Sequence, residues 1–139
     1  MASTHSWCDE DLPFPGSRSG LLIALGSGAS AAVTHDKRLV ETPQGRTSRS
    51  VFWAFCDALK SKADPLSGGP PQLVGMYRNQ GPKAFGLIYD GQRFFQGLPV
   101  HDSIRFDSVE WRDERFQRIN GETLQVIAGA KRHGRHQTK

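Results

Sequence analysis

Two histidine–carboxylate neighbours are the first residues in this chain whose types could do chemistry: His35-Asp36 and His101-Asp102, the second followed at once by Ser103. An imidazole beside a carboxylate can act as an oriented general base, and a nearby hydroxyl would complete a hydrolytic set. Residues adjacent in sequence usually point apart, however, and such sets assemble from distant segments. Both pairs fall in polar stretches that read as loops. They define a hydrolase reading, which stands behind two non-catalytic ones.

Other chemistry-bearing spacings are weaker on physical grounds. His5-x-x-Cys8 and His133-x-x-His136 have zinc-ligand spacing, but neither has the turn or aromatic context of a zinc finger. No metal and no cofactor is expected. Gly26-x-Gly28-x-x-Ala31, inside "LLIALGSGASAAV" (21–33), formally matches the dinucleotide fingerprint. Its context does not. The helix expected from Ser27 to about Thr34 is too short, Glu41 comes too early, and a meander follows instead of a βαβ unit. The same stretch lies behind Asp9, Glu10 and Asp11, which no secretory leader would carry. It reads as a short buried strand, Leu21 to Leu25, whose glycines let a small-residue helix pack closely.

Charge points to a second class. The formal net charge is +4, and Lys131, Arg132, Arg135 and Lys139 account for all of it. Those four could hold phosphate through counterion release, which gives the reading of a nucleic-acid or ribonucleoprotein accessory. The neutral body speaks against a non-specific binder. Arg46, Arg49, Lys60, Lys62, Arg78, Lys83 and Arg93, interleaved with Tyr77, Phe94 and Phe95, sketch a fainter basic stripe.

These residues need elements to position them. The chain's 139 residues suit one domain: an extended arm over 1–19, a globular part over 20–119 and a basic, disordered tail over 120–139. Fifteen Gly and eight Pro predict short elements and many loops. Two cysteines make no disulfide scaffold. Cys56 reads as a small core residue, and the usage fits a reducing, cytoplasmic setting. No apolar run is long enough to span a bilayer.

The strongest helix is "SRSVFWAFCDALKSKADP". Phe52, Phe55, Cys56, Leu59 and Ala63 form its core stripe, Val51, Ala54 and Ala58 widen it, Ser48 or Ser50 caps it, and Asp64-Pro65 ends it. "QLVGMYR", "AFGLIY" and "QRFFQGL" read as strands, with Asp90-Gly91 as a hairpin turn. "FDSVEWRDERFQRI" reads as a further helix, with Asp107 and Glu110 as a capping box and Glu114–Arg118 as an ion pair. Leu39 and Val40 suggest a brief strand or turn.

In order, "IALGSGASAA", a helix, and "ALKSKADPLSGGPPQLVGMYR" resemble the C-terminal half of proteasome-like N-terminal-nucleophile hydrolases, over about residues 21–90. The matching parts are Leu22–Gly28, Ala29–Val33, Val51–Ala63, Asp64 with Gly68-Gly69, and Leu73–Tyr77. The resemblance implies part of a layered sandwich. The family attacks with a Thr, Ser or Cys at the mature N-terminus, whereas removal of Met1 here would expose Ala2. The strands that carry the nucleophile and its supporting Lys are missing ahead of residue 21. A truncated, inactive relative is therefore expected, with a partner chain or a second copy covering an exposed face.

The expected fold is α/β or α+β: a mainly antiparallel sheet of about five strands with two or three helices packed on it. The expected function is non-catalytic, through self- or partner assembly.

Overall fold

The spacing of Phe52 and Cys56 does form a helix, and it carries the core of the molecule. In the computed structural model, which describes residues 19–77 and 79–129, two helices precede seven strands: α1 (Ala29–Val40), α2 (Ser48–Ser61), β1 (Val74–Tyr77), β2 (Gln80–Ala84), β3 (Gly86–Tyr89), β4 (Gln92–Phe95), β5 (Leu98–Pro99), β6 (Trp111–Asp113) and β7 (Arg118–Ile119). The class is α+β. Strands β1 and β2 form a two-stranded antiparallel sheet, and the others form a five-stranded sheet in the order β5-β4-β3-β6-β7. All its pairs are antiparallel except β3–β6.

Helix α2 begins with a reciprocal cap. The Thr47 hydroxyl accepts the Ser50 amide at 3.1 Å, and the Ser50 hydroxyl accepts the Thr47 amide at 3.2 Å, so two otherwise orphaned donors are satisfied. The cap is thus Thr47, one residue before the first of the two serines expected. The helix stops at Lys62, whose φ of 52° is left-handed, three residues before Pro65. Its inner face buries Phe52, Ala54, Cys56 and Ala58. Phe52 and Cys56 meet Leu87 of β3, with Leu73 and Phe116 packed against them. Phe55, expected in that stripe, is 41% exposed and faces a cleft instead.

The Asp90-Gly91 turn is as expected. Both residues have positive φ, 48° and 75°, as a tight two-residue hairpin demands, and β3 and β4 pair in register around it.

Three expectations are corrected. Residues 107–119 are not helical: Trp111–Asp113 is a strand lying parallel to β3, and Asp113 Oδ1 accepts the amides of Arg115 and Gln117 at 3.0 and 2.7 Å. That local bonding replaces the helical ladder. Trp111 and Arg112, consecutive and both buried, could not share one helix face. Nor do Glu114 and Arg118 pair with each other; Glu114 joins Lys60 and Arg118 approaches Glu110.

Leu21 to Leu25 is the second correction. No strand forms there; Leu22 and Ile23 are nearly half exposed and Leu25 is 80% exposed. The described residues offer this run no neighbouring strand, so its backbone has no ladder to join. The third is α1, which runs to Val40 and absorbs Leu39 and Val40. Lys37 and Arg38 in its last turn favour that extension through the helix dipole.

Candidate functional site

A cleft of about 760 Å³ lies between residues 21–29, the two helices and β1. Its walls are mainly aliphatic and aromatic, and one rim is polar. There the segment entering α1 meets the segment leaving α2. The Ser27 hydroxyl donates to Asp64 Oδ2 at 2.7 Å, the Ser67 hydroxyl donates to the same oxygen at 2.5 Å, and the Leu66 amide donates to Oδ1 at 3.1 Å. These bonds favour the anion, so Asp64's carboxyl sits below its ordinary value; Ser67 contributes most, then Ser27 and the Leu66 amide. A side chain at position 28 would press on Ser67 Oγ, 2.8 Å away, so Gly28 is what lets the two segments meet.

Chemically this rim is a carboxylate holding two hydroxyl protons. It can accept further hydrogen bonds, but it offers neither serine a base, because each hydroxyl proton already points at an anion of low basicity.

The histidine candidates lie elsewhere. His35 and Asp36 sit on α1, not in a loop. Asp36 borders the cleft, its Oδ1 is buried with no hydrogen-bond partner among the described residues, and burial raises its carboxyl. His101 and Asp102 lie in the exposed loop after β5. There the Ser103 amide donates to His101 Nδ1 at 3.2 Å, which makes that nitrogen the acceptor, and Ser103 Oγ lies 2.8 Å from it. Ser103 and His101 thus stand as a hydroxyl and a base, but Asp102 turns away to Arg93, 3.7 Å off. Neither His101 nor Ser103 borders the cleft.

Three residues of the basic stripe, Lys60, Lys83 and Arg93, are engaged by internal partners. Arg93 is buried, donating to the carbonyls of His101, Ile104 and Gly121 at 2.6, 3.1 and 3.3 Å. Lys60 bonds Glu114 and Asp90, and Lys83 bonds Glu110 at 3.1 Å. Burial pushes Glu110's carboxyl up, but Lys83, Arg112 and Arg118 outweigh it and hold it low. Lys131, Arg132, Arg135 and Lys139, Arg78, and the His5–Cys8 and His133–His136 pairs, lie outside the described residues. Among those described, no group of three or more His, Cys, Asp or Glu could hold a metal ion, and no helix is long and apolar enough to cross a membrane.

Ser27 is the start of an expected helix and Asp64 a helix stop; neither role foretells that they bind each other, and α1 has Gly28, not Ser27, at its N-cap. The signal was partial: Ser27 lies between two glycines and Asp64 stands before Pro65, at the two ends of a helical pair.

No protein-family model, curated protein or solved structure matches the chain.

Proposed function

We infer that this chain is a non-catalytic assembly protein of proteasome-like ancestry, which associates with a second copy of itself across the apolar cleft. One observation carries the reading: Ile23, Leu25, Phe55, Val74, Met76 and Tyr77 border a single cleft, and each is at least 41% exposed. Six large apolar residues gathered on one cleft form a contiguous exposed patch of the kind that marks an interaction site.

Charge favours a second copy as the occupant. Residues 19–34 and 72–77 contain no Asp, Glu, Lys or Arg, so these two walls meet their copies without like-charge repulsion, the cleft's carboxylates Asp36 and Asp64 lying outside both segments. Support for the ancestry comes from the Ser27–Asp64 bond, which joins two of the segments whose order resembles the hydrolases. The buried, unpaired Cys56 fits a reducing, cytoplasmic setting.

Light scattering on the eluting full chain tests the reading. The native chain is expected as a dimer, and the Leu25→Glu, Phe55→Glu double variant as a folded monomer. A native chain that stays monomeric at high concentration would end it.

A further inference from the structure

The two outer edges of the small β1–β2 sheet are unlike each other. Strand β2 reads Gln-Gly-Pro-Lys-Ala. Pro82 has no N–H to offer a further strand, and Lys83 places a charge on the same short element; both features blunt sheet edges. Strand β1 reads Val-Gly-Met-Tyr and has neither proline nor charge.

The register fixes which backbone groups of β1 are unused. The Phe85 amide donates to the Leu73 carbonyl at 3.0 Å, and Val74, Gly75 and Met76 lie opposite Ala84, Lys83 and Pro82. Hydrogen-bonded and non-bonded pairs alternate along an antiparallel ladder, so Val74–Ala84 and Met76–Pro82 are the non-bonded pairs. The N–H and C=O of Val74 and Met76 therefore point away from β2, to a side where the described residues place no strand. Val74 and Met76 are 68% and 80% exposed. Gly75 is constrained differently: a Cβ there would come within 2.7 Å of the Phe85 ring, so this position stays bare against the core.

We propose that β1 pairs antiparallel with β1 of a second copy about a two-fold axis through Gly75, joining two small sheets into one in the order β2-β1-β1′-β2′. The proposal rests on the self-association reading and specifies its geometry. In this register Val74 of each copy faces Met76 of the other, and the two residues exchange N–H···O=C bonds at both ends of the seam. The Val–Met pairs are apolar cross-strand neighbours on one face. A two-fold axis makes the contact closed and self-complementary, ending at a dimer. Registers centred on Val74 or Met76 would leave part of this edge unpaired.

Two measurements test the seam in the full chain. Met76→Pro deletes an outward N–H and leaves the ladder to β2 intact, because Met76 donates nothing to Pro82. It should weaken dimerisation by at least about tenfold relative to Met76→Ala, with far-UV circular dichroism confirming that both variants fold. Independently, in a Cys8→Ser background, Val74→Cys and Met76→Cys chains should form a disulfide-linked dimer under mild oxidation when mixed, and far less when either is alone. Facing residues of such a pair sit about 5.5 Å apart at Cα, within disulfide reach. Equal dimerisation of Met76→Pro and Met76→Ala, or cross-linking no better in the mixture than alone, would overturn the strand pairing while leaving self-association standing. A monomeric native chain would remove both.

Discussion

Ser27 and Asp64, 37 positions apart, share a 2.7 Å hydrogen bond that ties the turn entering α1 to the chain leaving α2. Because bonds from Ser67, Ser27 and the Leu66 amide favour the anion, Asp64's carboxyl titrates below the ordinary value of 3.8. A carboxyl depressed in the folded state contributes stability above its unfolded value and loses it as pH falls through the folded one. The stability gap between the native chain and Asp64→Asn should therefore be full at neutral pH and shrink below about pH 4. Urea unfolding of both chains across that range checks it; a gap independent of pH would contradict it.

Arg93 holds the loop after β5 to the sheet. Its guanidinium serves the carbonyls of His101, Ile104 and Gly121 and lies 5.8 Å from the Trp111 ring. A lysine carries the charge without the planar fork. Arg93→Lys should lower the unfolding free energy by about 2 kcal/mol, since a buried guanidinium that serves three carbonyls is replaced by an ammonium that cannot reach them all. Chemical denaturation gives the number, and a change within experimental error would show the fork to be dispensable.

Trp111 lies against Gly86 and Gly121, whose missing side chains make room for its indole. A Cβ at position 86 would fall inside the contact distance of the ring, and Gly86 pairs directly with Trp111 in the β3–β6 ladder. Gly86→Ala should cost about 2–3 kcal/mol through overpacking and shift tryptophan emission to the red as the indole is displaced. Unchanged emission and stability would place the ring elsewhere.

The Cys56 thiol is fully buried, and burial, with the carboxylates of Glu114 and Asp57, pushes it up to about 12. An acid raised in the folded state favours folding while it stays protonated; stability falls as pH climbs above the unfolded thiol value of 9.0 toward the folded one. In a Cys8→Ser background, the thiol should react with a disulfide reagent only at the rate of unfolding. Rapid labelling of the native chain at neutral pH would contradict this burial.

The elements legible in the sequence were those whose signals are local. Helix α2 announces itself through the periodic Phe52, Cys56 and Leu59, and the β3–β4 hairpin through Asp90-Gly91. The failures depended on distant partners. Trp111–Asp113 becomes a strand because β3, some two dozen residues earlier, offers it a parallel ladder, and no local pattern carries that information. Leu21–Leu25 has the composition of a buried strand and, among the described residues, no neighbouring strand that would make it one. That run lines the apolar cleft, so the failed strand expectation and the candidate site are the same piece of chain. The polar rim was half legible: Ser27 and Asp64 stand out in the sequence, Ser67 does not, and their meeting required the packing of α1 on α2.

The central claim is that the apolar cleft is closed by a second copy of the chain. Sedimentation equilibrium of the full chain over a wide concentration range tests it most directly. The account predicts a concentration-dependent rise to twice the 15.4 kDa chain mass, with no larger species, and its loss in the Leu25→Glu, Phe55→Glu variant. A mass that stays at one chain throughout, or a double variant that associates as the native chain does, would contradict it.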